Sequence, residues 1–196
     1  MPLGANKAAI MGVAGVSTAD VVLLSSQTAS GDASLTFTGL MTSTYGEYIF
    51  KFYTVNPATD EGYFGFQCNA TDTADFNDIA ITSTAFRAYH NEADSQAVLT
   101  YNADADQAQG TAFQRLSDAT GNGADEHLAG ELHIFNPSST TYVKHFIGLT
   151  QTYQSGDMAS QQYCAGYLND TTAVDDIQFK FASGNFDGKI KMWGVK

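Results

Sequence analysis

Basic residues are scarce: nine Lys and Arg stand against 21 Asp and Glu in 196 residues, a formal net charge of −12. A surface so negative repels phosphate, which excludes general nucleic-acid binding and docking on anionic lipid. Charge of either sign is thin at 15%, where an average soluble protein carries about 25%. Proline is rarer still, with three residues. No apolar run approaches the roughly 18 residues of a membrane-crossing helix. Cysteine is limited to Cys68 and Cys164, far too few for a disulfide-dense secreted scaffold. Phe64 and Phe66 share parity with Cys68, and Leu168 with Cys164. That alternation reads both thiols as small buried hydrophobes, a single disulfide between them being the alternative. What is abundant is 43% hydrophobic residues, 12% aromatics and 18 Gly, with many Ser and Thr. The mixture excludes intrinsic disorder and suits short strands joined by tight turns.

Residues 1–20 are small and show no period of two. Ala8 to Val16, preceded by Lys7, faintly resembles a signal-peptide core, but it has one basic residue and is rich in Ala and Gly. The segment reads as an N-terminal arm, extended or with a helical turn at 6–11. From Val21 onward, apolar runs alternate with turn signals to the end of the chain. Candidate strands are 21–25, 34–38, 47–55, 63–69, 85–90, 129–135, 142–150, 162–168, 177–182 and 188–195. Period-two alternation is clearest in Tyr48/Phe50/Phe52 and Ile177/Phe179/Phe181. Asn136-Pro137-Ser138-Ser139 breaks the chain between two strong strands, and Gly184 and Gly188 can supply positive φ between the last two. The acidic, Ala-rich stretch 91–110 reads as a surface excursion or a short helix. The pattern predicts an all-β chain: an antiparallel β-sandwich, a jelly roll, over 21–196, with the arm at 1–20.

No residue constellation points to catalysis. The histidines, His90, His127, His133 and His145, match no metal-ligand spacing. They read as exposed or paired across strands. G-x-S-x-G is absent, which argues against a hydrolytic triad. The carboxylates cluster at Asp72/Asp75/Asp78, Asp104/Asp106, 118–126 and Asp175/Asp176 without the EF-hand pattern. They read as solvated loops, a divalent cation at a subunit contact being the alternative, and no cofactor is expected. Tyr153, Tyr163, Tyr167 and Trp193 could stack on sugar rings, or fill the core or a subunit contact. The acidic loops at 70–78, 91–106, 118–126 and 169–176 are expected on one outer surface. The weakly charged arm and the terminal strand, with Lys189, Lys191 and Lys196, are expected on the opposite side.

Three stretches carry a resemblance: VVLLSSQTASGDASLTFTGLMTSTYGEYIFKFY (21–53), GELHIFNPSSTTYVKHF (130–146) and DDIQFKFASGNFDGKIKMWGVK (175–196). Together they resemble small jelly-roll virion proteins of tailed bacteriophages, a group that includes capsid decoration (cement) proteins and modules of tail or head fibres. The shared features are turn residues and core aromatics, so the resemblance implies fold and virion origin and carries no catalytic residue. About 20 residues before the first strand leave no room for a fibre shaft, which favours decoration. The resemblance therefore implies a non-enzymatic protein at the capsid surface of a virion assembled in the host cytoplasm. Its expected partners are the major capsid protein and further copies of itself, as a homotrimer, with neither nucleic acid nor membrane. Leu3, Lys7, Ile10, Met11 and Val13 are the expected anchoring residues of the arm. The alternative is a receptor-binding module that reads host-surface glycans through the loop aromatics.

Overall fold

A strand whose alternate residues are Tyr48, Phe50 and Phe52 on one side and Ile49, Lys51 and Tyr53 on the other can satisfy its backbone only in a sheet and its aromatics only in a core. The computed structural model describes residues 20–73 and 75–196, and every candidate strand is present in it. In chain order the strands are β1 (Val21–Asp32), β2 (Leu35–Phe37), β3 (Glu47–Pro57), β4 (Phe64–Ala70), β5 (Ile81–Asn91), β6 (Ala97–Tyr101), β7 (Ala108–Gly110), β8 (Gln114–Arg115), β9 (Leu128–Phe135), β10 (Lys144–Gln154), β11 (Met158–Leu168), β12 (Val174–Phe181) and β13 (Phe186–Val195). No helix occurs among the described residues. The 91–110 stretch is therefore neither a bare excursion nor helical, because β6 and β7 both pair with β5.

All pairings are antiparallel, in two sheets. The larger has nine strands in the order β1-β13-β3-β9-β10-β11-β5-β6, with β7 also on β5. The smaller runs β2-β12-β4-β8. An aromatic cluster joins them. Phe179 of the small sheet sits 5.2 Å from Phe50, 5.4 Å from Phe52, 6.0 Å from Phe64 and 6.1 Å from Phe37, ring centre to ring centre. Most of these contacts are edge-on or tilted, the geometry that ring quadrupoles favour. Both cysteines are free and buried. Desolvation pushes the Cys164 thiol up to about 12 and raises Cys68 as well, so both are inert apolar filling.

The small sheet does not cover the whole inner face of the large one. Beyond it, the chain between β6 and β9 lies over β10, β11 and β5 through buried polar groups. Gln114 Nε2 donates to the Ala105 carbonyl at 2.7 Å and to the Arg115 carbonyl at 3.0 Å, while its Oε1 accepts from Ser83 Oγ at 2.7 Å. Asn102 donates to Gln162 at 2.9 Å, and Thr150 Oγ1 bonds the Leu116 carbonyl. Gln67 Nε2 serves the carbonyls of Ile79, Thr111 and Ala112 at 3.0–3.3 Å. These amides stand in for backbone partners that irregular buried chain would otherwise lack.

The turns follow their residue types. Asn136 adopts φ 46° and Gly184 φ 74°, the left-handed region those residues tolerate best. Ser139 Oγ accepts from the amides of Thr141 and Tyr142, closing the Asn-Pro turn. At the same end of the molecule Lys144 is fully buried, and its ammonium donates to the carbonyls of Asp170 and Thr172. Desolvation holds its pKa below the usual lysine value, with Asp170 opposing.

The expected segregation of acidic loops is corrected by the register. Lys196 bonds Asp20, Gly46 bonds Val195, Asn136 bonds Gly46 and Val174 bonds Pro137, which places the start of β1 and the chain's C-terminus at one end of the sheets. The 169–176 loop lies at that end, and Asn169 bonds Ala80 just after the 70–78 loop. The loops around 92–96 and 121–127 lie at the opposite end, joined to the β10–β11 hairpin by Glu92–Asp157 and Gly121–Tyr153 bonds. Acidic charge is thus divided between both ends, because consecutive antiparallel strands return the chain to each end in turn.

Candidate functional site

The outer face of the large sheet is where polar residues would be expected and are thin. In register across it run Leu23, Trp193, Ile49, His133, Ile147 and Ala165. The neighbouring row runs Lys191, Lys51, Glu131, Leu149, Tyr163, Phe86 and Tyr101. Of the nine large apolar side chains exposed among the described residues, seven lie on this face: Val21, Leu23, Tyr53, Phe86, Leu99, Tyr101 and Ile147. Leu99 is the most exposed of them, at 74%. Monomeric proteins seldom leave so much apolar surface contiguous without using it.

A charged seam on β3 and β9 divides the face. Lys51 Nζ lies 3.2 Å from Glu131 Oε2, His133 Nε2 lies 3.4 Å from Glu131 Oε1, and His133 Nδ1 lies 2.5 Å from Glu47 Oε1. Desolvation pushes the Glu131 carboxyl up, but hydrogen bonds from Lys51 and His133 outweigh it and hold the group below the usual carboxylate range. Each carboxylate of the seam thus has a side-chain partner. Pairing of His133 across strands is what its alternation suggested; His90 instead meets Asp94, and His145 packs edge-on against Tyr167 at 6.2 Å.

At least four depressions interrupt the described part of the face, one of them lined by Val21, Ile49, Lys51, Tyr53 and Trp193. One of about 410 Å³ lies between the lower ends of β9, β10 and β11, bounded by His90, Glu92, His127, Gln151 and Tyr153. Tyr153 Oη donates to Asp157 at 3.0 Å. That bond, then burial, then the negative charge of Asp157, Glu92 and Asp125 push the phenol up to about 12, so it stays a neutral donor. No Lys or Arg lines this depression. A second, of about 350 Å³, shares Ala129 and Gln151 with it and continues toward Lys51 and Glu131. Gly130 also borders it, and a Cβ there, on the inner side of the strand, would sit 2.2 Å from the Leu149 carbonyl oxygen. The third, of about 560 Å³, lies at the opposite end beside Phe135, Asn136, Tyr142 and His145. Among the described residues no group of three or more His, Cys, Asp or Glu converges where a metal could sit.

The four aromatics singled out from the sequence all fall on this one face: Tyr153 on β10, Tyr163 and Tyr167 on β11, and Trp193 on β13. None fills the core. Tyr163 stacks on Phe86 with ring centres 5.0 Å apart, extending the face to β5. The arm residues Leu3, Lys7, Ile10, Met11 and Val13 lie outside the described residues. Sequence reasoning missed Phe86, Leu99, Tyr101 and Ile147. The signal was present in 97–101, where Leu99 and Tyr101 alternate with Val98 and Thr100, but it was obscured by the surrounding acidic residues. Comparison with known proteins finds no matching family model and no similar curated protein.

Proposed function

We propose that this chain is a virion structural protein of a tailed bacteriophage, a jelly-roll decoration (cement) protein that reinforces the head shell from outside. It acts as a homotrimer in contact with the major capsid protein, and it performs no chemistry. The observation that carries this reading is the broad apolar face of the large sheet on a molecule whose formal charge is −12. Such a surface is suited to burial against protein, while the acidic ends keep densely displayed copies dispersed in solvent. The virion origin rests on the resemblance of the 21–53, 130–146 and 175–196 stretches.

A second reading, a receptor-binding module for host glycans, is favoured by one feature. The cation-free depression beside Tyr153 offers an aromatic ring, an amide and a carboxylate, the chemistry that recognises a neutral polyol. One experiment separates the two. Full-length chain added to head shells lacking it is expected to bind saturably, and a chain lacking residues 1–16 is expected to melt like the full-length protein but not to bind. Equal shell occupancy by the shortened chain would remove the arm from the account. Saturable binding to host cells, with none to shells, would favour the glycan reading instead.

A further inference from the structure

A strand at the edge of a sheet presents unpaired amides and carbonyls, and proteins blunt such edges with Lys, Pro, bulges or very short strands. Among the described residues, β6 is the edge that lacks these devices. β1, at the other side of the large sheet, is bulged at Leu23/Ser25 and again at Ser30/Asp32. β2, β7 and β8 are only two or three residues long. β6 ends the large sheet with Ala-Val-Leu-Thr-Tyr, five residues without a charge, a proline or a bulge.

The register fixes which backbone groups are free. The Asn91 amide donates to the Gln96 carbonyl at 3.2 Å, and the Asn102 amide to the Ala85 carbonyl at 2.9 Å. An antiparallel strand bonds its neighbour through alternate residues, so Gln96, Val98, Thr100 and Asn102 turn their backbones to β5. Ala97, Leu99 and Tyr101 turn theirs away, to the side on which no described strand pairs. Val98, Leu99 and Tyr101 also expose their side chains. The edge therefore offers both halves of a strand-pairing site, free main-chain groups and apolar contacts.

Charge selects the occupant. Glu92 and Asp94 precede the strand, Asp104 and Asp106 follow it, and no Lys or Arg occurs between 88 and 114. A second copy of this chain fits poorly. Full antiparallel overlap of two β6 strands, centred on Leu99, sets Asp94 of each opposite Asp104 of the other, and Glu92 opposite Asp106. Like charges directly opposed across a strand pair destabilise it.

We propose that β6 is a docking edge for an extended segment of another protein, apolar at its centre and flanked by Lys or Arg, which joins the large sheet as a further strand. Main-chain hydrogen bonds to Ala97, Leu99 and Tyr101 hold it. The acidic flanks set its register and turn away segments of like charge. The inference goes beyond the decoration reading and does not depend on it, since the edge and its flanks belong to the chain alone.

The test adds three synthetic peptides to the full-length chain, each with the core Val-Thr-Val-Thr-Val. One carries two Lys at each end, one carries two Glu, and the third is the Lys peptide N-methylated at every core amide. The Lys-flanked peptide is expected to bind saturably by fluorescence anisotropy and to slow amide exchange at Ala97, Leu99 and Tyr101. The other two are expected to bind about tenfold more weakly or worse, one through repulsion and one through its lost hydrogen bonds. Leu99→Pro is expected to abolish binding of the Lys-flanked peptide without changing the melting curve, because the amide it removes faces away from β5. If that variant does not fold, Leu99→Lys places a blocking charge at the same point. No binding of the Lys-flanked peptide, or equal binding of the Glu-flanked or N-methylated one, would overturn the proposal. An oligomer of the chain that Leu99→Pro dissociates would also overturn it, making a second copy the occupant.

Discussion

Phe179→Ala is expected to cost the fold about 3–5 kcal/mol and to lower the melting temperature by roughly 6–20 °C. Phe179 is fully buried on the small sheet, and its ring meets Phe37 from the same sheet and Phe50 and Phe52 from the large one. Removing it deletes the ring that Phe37, Phe50, Phe52 and Phe64 share, although Phe37–Phe50 and Phe52–Phe64 still meet across the layers. The cavity cannot collapse easily, because both backbones are fixed by their ladders: Phe179 pairs with Phe66 and Leu35, and Phe50 with Met192 and Leu132. Calorimetric unfolding measures the loss directly. A loss under about 1 kcal/mol would mean that the two sheets do not meet at this residue.

Gln114→Leu is the second large effect expected, about 2–4 kcal/mol. Leucine keeps most of the volume but makes none of the three hydrogen bonds to Ser83, Ala105 and Arg115. The Ala105 carbonyl then loses its side-chain donor, while Ser83 Oγ keeps the Gln107 amide and the Arg115 carbonyl keeps Gln162 Nε2; an unsatisfied buried group costs about 1–3 kcal/mol and each lost hydrogen bond about 1 kcal/mol. Gln178→Leu provides the comparison: Gln178 is half-buried, its amide meets only Thr36 Oγ1 at 3.0 Å, and water can replace that contact. Denaturant unfolding is expected to show a midpoint shift several-fold larger for Gln114 than for Gln178. Equal shifts would contradict a polar layer between the large sheet and the chain that covers it.

Much of this architecture was legible in the residues. Tyr48/Phe50/Phe52 and Ile177/Phe179/Phe181 alternate so strongly that one side of each strand had to be core, and both sides are as read. The burial of both cysteines followed from parity with Phe64, Phe66 and Leu168, while their being unbridged did not. The large sheet's outer face was harder to see. Trp193, Tyr163 and Phe86 look like core residues in a local window, since an apolar side chain in a strand gives the same signal on either side of a sheet. Only the register, which sets Trp193 beside Ile49 and Tyr163 beside Phe86, shows that they share a face turned away from the core. The covering segment 102–120 was missed for a different reason. Its anchors are Asn102, Gln114 and Ser117, polar residues that a hydropathy pattern assigns to solvent. Their burial depends on partners such as Gln162 and Ser83, distant in sequence.

The division of acidic loops between both ends also changes the picture of how the molecule stands on a shell. Neither end is free of carboxylates, so the low-charge surface is the side of the molecule rather than its base.

Quantitative mass spectrometry of purified particles tests the decoration reading most directly. The account predicts a copy number comparable to that of the major capsid protein. A few copies per particle, as for a tail or vertex component, or absence from the particle, would contradict it.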